Sequence, residues 1–313
     1  MAGTQHAPEH PTPIEVFSDA LAALLDEGAG VFLAGIRETG EASATSTWAH
    51  DRQAWAEAYE TDDVVGWVVE TAGIYLAETA HLLRAFATLL RSRRIFATMD
   101  LIVRAVIERV GHVNWILNDG ITSEQRAARA GLEFAACFFM YRESLHRLEA
   151  DTEVRSELRG EAKAQQQQLE QWFCIDRPPD NKCDENSPPT GDVRRWVVGG
   201  ESFPDLGASA TYALKPGGIG EMAAKGTYAA LSGFSHPNVV FSREHRDIDA
   251  GLRITFRYER QEIEKAVRMA LFSFAESVKQ WVRYYDAKQE QVNARLDDIA
   301  ERLEAICEIT PLS

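Results

Sequence analysis

Residues able to do chemistry gather at three places. The first is a pair of Glu-x-x-His motifs, Glu78 with His81 and Glu143 with His146, with Glu108 and His112 between them. Two such motifs on separate helices, completed by a glutamate from each of two others, build the di-iron site of ferritin-like carboxylate proteins. These six residues are therefore a candidate iron centre for oxidase chemistry. The helical wheel opposes it. At about 100° per residue, Glu78 and His81 share a face with Glu70, Arg84, Thr88 and Arg91, and a face of that composition is normally solvated. Glu143 lies among charges of both signs in "MYRESLHRLEAD". The expectation is no cofactor, with iron as the alternative.

The second place is a ridge. Asp100, Arg104, Glu108 and His112 follow one another at helical i, i+4 steps in the otherwise apolar "LIVRAVIERVGHVNWIL". On a solvent face these pairs add only a few tenths of a kcal/mol each. In a buried cluster Arg104 must pair with Glu108, because a lone buried charge is prohibitively costly. The third place is "TYAALSGFSHPN", where Tyr228, Ser232 and His236 repeat the same step and Pro237 stops the helix. These side chains either cap the last carbonyls or line a cleft. Serine with histidine is a nucleophile and base pair, but no GxSxG elbow is present. The expected site joins the two ridges: Arg104, Glu108, Tyr228, Ser232 and His236 form one buried polar cluster. Arg104 would hold a small anionic ligand, and His236 would move protons near neutral pH. Tyr212 and Lys225 add polarity nearby.

The elements that must position these groups read as helices. Residues 1–13 form a disordered lead. A bundle follows over 14–172, with helices from Ile14 to Glu38, from Asp62 or Asp63 to Arg91, and from Ala97 to Leu117. Arginines suit the negative C-terminal end of the second. Thr122 and Gln125 form a capping box for the next helix, which leads through Asp151 into a polar, solvated helix. "GEASATSTWAHDRQ" reads as a polar connection. Residues 173–220 carry proline, glycine and asparagine throughout and read as an irregular insertion, with a short strand in "RRWVVGG". Residues 221–260 hold the motif helix and a β-hairpin of "VVFSRE" with "LRITFRYE".

From Gln261 one long helix is expected. Val278, Tyr285, Val292, Ile299 and Ile306 form one heptad row, and Val282, Gln289, Leu296 and Leu303 the other. This seam over 278–306 suits a dimerising coiled coil, or packing against the chain's own first helix; the homodimer is the expectation. The fold class is thus mainly α: an antiparallel helical bundle with a long irregular insertion, a small β-hairpin and a C-terminal coiled-coil-like helix.

Net charge is −15 over 313 residues. That opposes nucleic-acid binding, whose affinity comes largely from neutralising phosphates. No apolar run is long enough to span a membrane. Cys137, Cys174, Cys183 and Cys307 lack metal-site spacing, and read as reduced thiols of a cytosolic protein. A bridge between Cys174 and Cys183 is the alternative.

"LIVRAVIERVGHVNWILNDGITSEQRAARA", followed much later by "YAALSGFSHPN", resembles a group of uncharacterised helical proteins of actinobacteria. That group pairs an R-x-x-x-E helix ending in W-I/L-L-x-D with a Y-x-x-L-S-x-x-x-H motif. The matching positions are Arg104, Glu108, Trp115, Asp119, Arg126, Arg129, Tyr228, Leu231, Ser232 and His236. The resemblance implies a helical fold and the meeting of the two ridges, and implies no activity. A more distant similarity is to HEPN-type bundle nucleases. Their arginine, four to six residues before the histidine, is replaced here by Ala230, Leu231 and Ser232. The resulting reading is a binding, interaction or sensor protein; a di-iron oxidase and an HEPN-like ribonuclease are the alternatives.

Overall fold

The computed structural model describes residues 13–38, 42–61, 63–93, 98–147, 152–177, 193–235, 246–248, 254–256, 259–285 and 288–308. Among them the chain is mainly helical. The helices are α1 (Pro13–Glu38), α2 (Thr47–Tyr59), α3 (Asp63–Arg91), α4 (Thr98–Ile116), α5 (Ser123–Arg147), α6 (Thr152–Trp172), α7 (Leu206–Leu214), α8 (Glu221–Ser235), α9 (Arg260–Tyr285) and α10 (Gln289–Glu308). The strands β1 (Ile175–Asp176), β2 (Val197–Val198) and β3 (Glu201–Ser202) make a small antiparallel sheet in the order β1-β2-β3, and β4 (Arg246–Ile248) pairs with β5 (Ile254–Phe256). No helix among the described residues is long and apolar enough to cross a membrane.

The bundle is built on α3 and α4, which are packed by α1, α5 and α9. α3 is the most continuously apolar segment, and one face of it is fully buried: Val64, Val68, Ala72, Leu76, Leu83 and Leu90. Its opposite face, with Glu70, Glu78, His81, Arg84, Thr88 and Arg91, is exposed, as the wheel requires. α1 runs antiparallel to α3, since Arg93 beyond the end of α3 grips Asp19 in the second turn of α1 at 3.0 Å. The capping box of α5 is reciprocal. Gln125 N–H donates to Thr122 Oγ1, and Thr122 N–H donates back to Gln125 Oε1.

Four segments depart from the sequence reading. The second half of "GEASATSTWAHDRQ" is helix: α2 is capped by Ser46, whose hydroxyl accepts from Ala49 N–H, and it sends Trp55 into an aromatic cluster with Trp172 and Phe173. The insertion is partly regular, holding the small sheet and α7, which is capped by Asp205. The first strand of the hairpin, Arg246–Ile248, lies later than expected, while the second, Ile254–Phe256, lies within the expected segment; residues 239–244 fall outside the described residues, as do the lead 1–12 and Cys183. Cys137, Cys174 and Cys307 are free thiols.

The fourth departure is the C-terminal helix, which is two. Lys288 takes a left-handed φ of 52°, and α10 begins at Gln289, the single polar position of the heptad seam. Reversal at that point folds the seam back on its own chain. Lys279 meets Asp297 at 2.8 Å, and Arg268 meets Glu304. Leu296, Ile299 and Leu303 are fully buried, in a helix packed on α1 and α9. The first helix of the same chain lies against this part of the seam.

α7 approaches α4 so closely that Gly111 is obligatory. A Cβ built there falls deep inside contact with the Ser209 carbonyl, which is backbone and cannot swing away. Gly111→Ala is therefore expected to destabilise by about 1–3 kcal/mol through overpacking, where a solvent-exposed helical glycine would gain from the same change. Urea unfolding monitored by circular dichroism measures it.

Candidate functional site

The polar ridge of α4 lies at a junction. α5 packs on one side of it, and α7 and α8 on the other. Arg104, Glu108 and His112 each meet a partner from a distant part of the chain. Arg104 Nε donates to Glu108 Oε1 at 2.8 Å, and Tyr228 of α8 donates its hydroxyl to the same oxygen at 2.5 Å. The Arg104 guanidinium also stands 5.4 Å from the centre of the Tyr228 ring, in cation–π range. Ser232, one turn along α8, hydrogen-bonds Tyr228. The structure thus brings together Arg104, Glu108, Tyr228 and Ser232. His236 lies outside the described residues.

One turn further along α4 a second network begins. His112 Nδ1 shares a very short contact with Glu133 Oε1 of α5, and its Nε2 is 3.3 Å from Ser209 Oγ of α7. The other oxygen of Glu133 accepts from the Tyr75 hydroxyl of α3 at 2.9 Å, and Cys137 Sγ is 3.9 Å from that hydroxyl. Serine, imidazole and carboxylate stand in the order of a nucleophile, a base and its orienting acid. Ser209 is nevertheless wholly buried, wedged where α7 meets Gly111, and its own N–H is spent on the Asp205 carbonyl at 2.8 Å. A substrate carbonyl has no approach to Oγ. The network ties α3, α4, α5 and α7 together with its polar atoms paired, the form in which a buried polar network rigidifies a core.

Glu133 escaped the sequence reading, although one signal for it exists. It is the single charge within "AGLEFAACFF", and an acid in such a run must find a donor inside. His112 was considered as a metal ligand. Its imidazole is instead held between Glu133 and Ser209, while Glu78 lies at the surface on Arg109 at 2.7 Å and His81 is exposed. Glu78, Glu108 and His112 thus turn to three separate partners. The side chains of Glu143 and His146 lie outside the described residues. Among the described residues no group of three or more His, Cys, Asp or Glu side chains is arranged to hold a metal ion.

The C-terminal end of α4 is tied down by a third set. Arg129 Nη1 donates to the Trp115 carbonyl at 2.6 Å, Gln280 Nε2 to the Leu117 carbonyl at 2.7 Å, and Arg126 Nη1 to the Asn118 carbonyl at 3.4 Å. Both arginines are buried, and each has a buried or half-buried acid: Asp51 for Arg126 at 2.8 Å and Glu201 for Arg129 at 2.7 Å. Tyr284 donates to Asp51 as well, at 3.1 Å. These are the arginines that follow "WILND" in the sequence. They satisfy carbonyls that a helix end leaves open, with charge of the favourable sign.

Beyond that end lies a cleft of about 600 Å³ between α4, α7, α8 and α9. Its walls include Asn114, Asn118, Thr211, Tyr212, Lys215, Lys225 and Gln280. Asn114 Nδ2 donates to the Tyr212 carbonyl at 3.0 Å, which fixes the amide orientation. Its Oδ1 is buried with no hydrogen-bond partner. The sequence carries no signal for the cleft, because α7, which supplies one wall, lies in a segment whose proline and glycine content reads as loop.

No family model matches the chain, and comparison with curated proteins and with solved structures returns no match.

Two measurements probe these networks. Arg126→Met leaves Asp51 buried without its cation and is expected to cost about 3–5 kcal/mol in urea unfolding. The tyrosines report on pH. Tyr75, Tyr228 and Tyr284 all hold their protons above the ordinary tyrosine value, burial first and then the neighbouring Glu133, Glu108 and Asp51 carboxylates respectively. A group with a raised folded-state value contributes stability that is complete below its unfolded value of about 10 and is lost as pH rises through the folded one. Stability is therefore expected to decline above about pH 10. Part of the phenolate absorbance of the eight tyrosines should appear only as helical ellipticity disappears. Complete phenolate titration of a still-helical chain would contradict the buried networks.

Proposed function

We propose that this protein binds a small molecule, acting as a sensor or binding protein, and that the paired residues of the α4 ridge are the frame for that function. The observation that carries the reading is the contrast along a single helix. Arg104, Glu108 and His112 each have partners within the protein, whereas Asn114, on the same helix, presents a buried acceptor without one beside a 600 Å³ cleft. That volume lies within the usual range for small-molecule sites. α7 and α8, which form the walls opposite α4, are joined to it through Ser209, Tyr212 and Tyr228, so a ligand between them would bear on the contacts that hold those helices in place. The net charge of −15 supports a small-molecule partner over a nucleic acid.

A thermal-shift screen against a metabolite panel, run beside native mass spectrometry of the purified chain, tests the reading. A ligand present at a hundred times its Kd adds about 2.7 kcal/mol, a rise of roughly 4 °C for a chain of this size. Ala208→Phe, which fills the cleft from α7, is expected to abolish the shift while the helical spectrum is retained. A bare chain mass together with no shift from any compound would end the reading.

A further inference from the structure

We infer that a second groove, between α8, α9 and the end of α10, is a docking site for the chain's own residues 309–313, "ITPLS", which cover the thiol of Cys307. The inference is independent of the cleft beside α4.

The groove has a volume of about 600 Å³, and Ile219, Thr227, Met269 and Cys307 lie on its walls. Ile219, Met269 and Cys307 are half-buried, packed on the main core. What the core leaves uncovered of them is apolar surface facing the groove. The charges around it are largely answered. Arg268 is paired with Glu264 at 3.0 Å and with Glu304, and the Arg260 guanidinium stands 4.2 Å from the centre of the Phe17 ring. Lys265 and Glu308, both exposed, bring one charge of each sign. An ion entering such a groove would lose water for little return. An uncharged, apolar occupant loses nothing of the kind.

The end of α10 points to the occupant. Glu308 is the last residue of that helix and, with Cys307, part of the wall. The chain that follows therefore starts at the groove. Residues 309–313 lie outside the described residues, and their composition suits the surface. After a helix rich in acids and arginines, they carry no charge and include two large aliphatic side chains, Ile309 and Leu312. Segments that stay in water are normally poor in such residues. Pro311 cannot continue the helix, and it drives Thr310 toward an extended backbone. In polyproline II geometry three residues complete a turn, so Ile309 and Leu312 share one side. Five residues in that form span about 15 Å. The tether gives the segment an effective concentration in the millimolar range, well above that of a free ligand or a second copy in dilute solution.

Labelling of Cys307 in the full chain tests this. N-Ethylmaleimide is applied to the native chain and to the double variant Ile309→Ser, Leu312→Ser. Rates at Cys307 and at Cys137, an exposed thiol on α5 that serves as internal reference, are read by peptide mass spectrometry. Both replacements are uncharged, so neither adds a field at the thiol. Cys307 is expected to react at least about tenfold faster in the variant, from the loss of two buried aliphatic side chains, with the Cys137 rate and helical ellipticity unchanged. A synthetic ITPLS peptide at millimolar concentration should slow Cys307 of the variant again. Photoreactive benzoylphenylalanine in place of Leu312 then identifies what the segment touches, and crosslinks within one chain to the peptides holding Ile219 or Met269 are expected. Unchanged labelling of Cys307, or equal acceleration of both thiols, would overturn the inference. So would crosslinks that join two chains, which would assign the groove to a second copy.

Discussion

The C-terminal end of α4 is the point on which the rest of the architecture depends. A helix end buried in a bundle presents open carbonyls that water cannot reach. Here three side chains from two helices close them: Arg129 and Arg126 from α5, and Gln280 from α9. Two buried guanidinium groups can be tolerated only if they are paired, and the pairing reaches outward to α2 through Asp51 and to the small sheet through Glu201. One helix terminus thus recruits α2, α5, α9 and β3. The charges gain specificity of arrangement more than raw stability, since desolvation offsets much of what an ion pair returns.

Along the same helix the polar side chains divide by what they meet. The Arg104–Glu108–Tyr228 and Ser209–His112–Glu133–Tyr75 networks close on themselves, and act as clasps between α4 and the helices packed on it. Ser209 illustrates why order of residue types is a weaker guide than access. It has the neighbours of a nucleophile and none of the room. Asn114 lies on the other side of that division, with its donor engaged and its acceptor buried without a partner. The meeting of Glu108 with Tyr228 joins the two ridges across 120 residues of sequence.

Legibility in the sequence followed the range of the interaction. Local signals were readable. The Thr122–Gln125 capping box, the apolar stripe of α3 and its solvated face, and the i, i+4 ridge of α4 all depend on neighbours within a turn or two. Arg104 had to find Glu108 for the same reason. Asp51 and Glu201 were invisible as partners of Arg126 and Arg129, because nothing local distinguishes a carboxylate that will be buried 75 or 72 residues away from one left in water. α7 was hidden by its setting. Proline, glycine and lysine crowd its flanks, and its residues are small because α4 lies against it. The heptad seam is legible as an apolar surface, and the reversal at Lys288 is not, since only the polar Gln289 hints at an interruption.

The partners of α4 also set a timetable for its completion. Asn114 waits for Tyr212, 98 residues on; Glu108 waits for Tyr228; and Leu117 waits for Gln280, 163 residues on. At ribosomal rates of about 5–20 residues per second, the last of these intervals lasts on the order of ten seconds or more. Through it the apolar faces of α3 and α4 are already made, while the acids and arginines among them still lack their final neighbours. A nascent chain in that state exposes both hydrophobic surface and unmet charge. Its passage to the folded form is then governed by late, long-range closure, which slows folding relative to a helical bundle of purely local contacts.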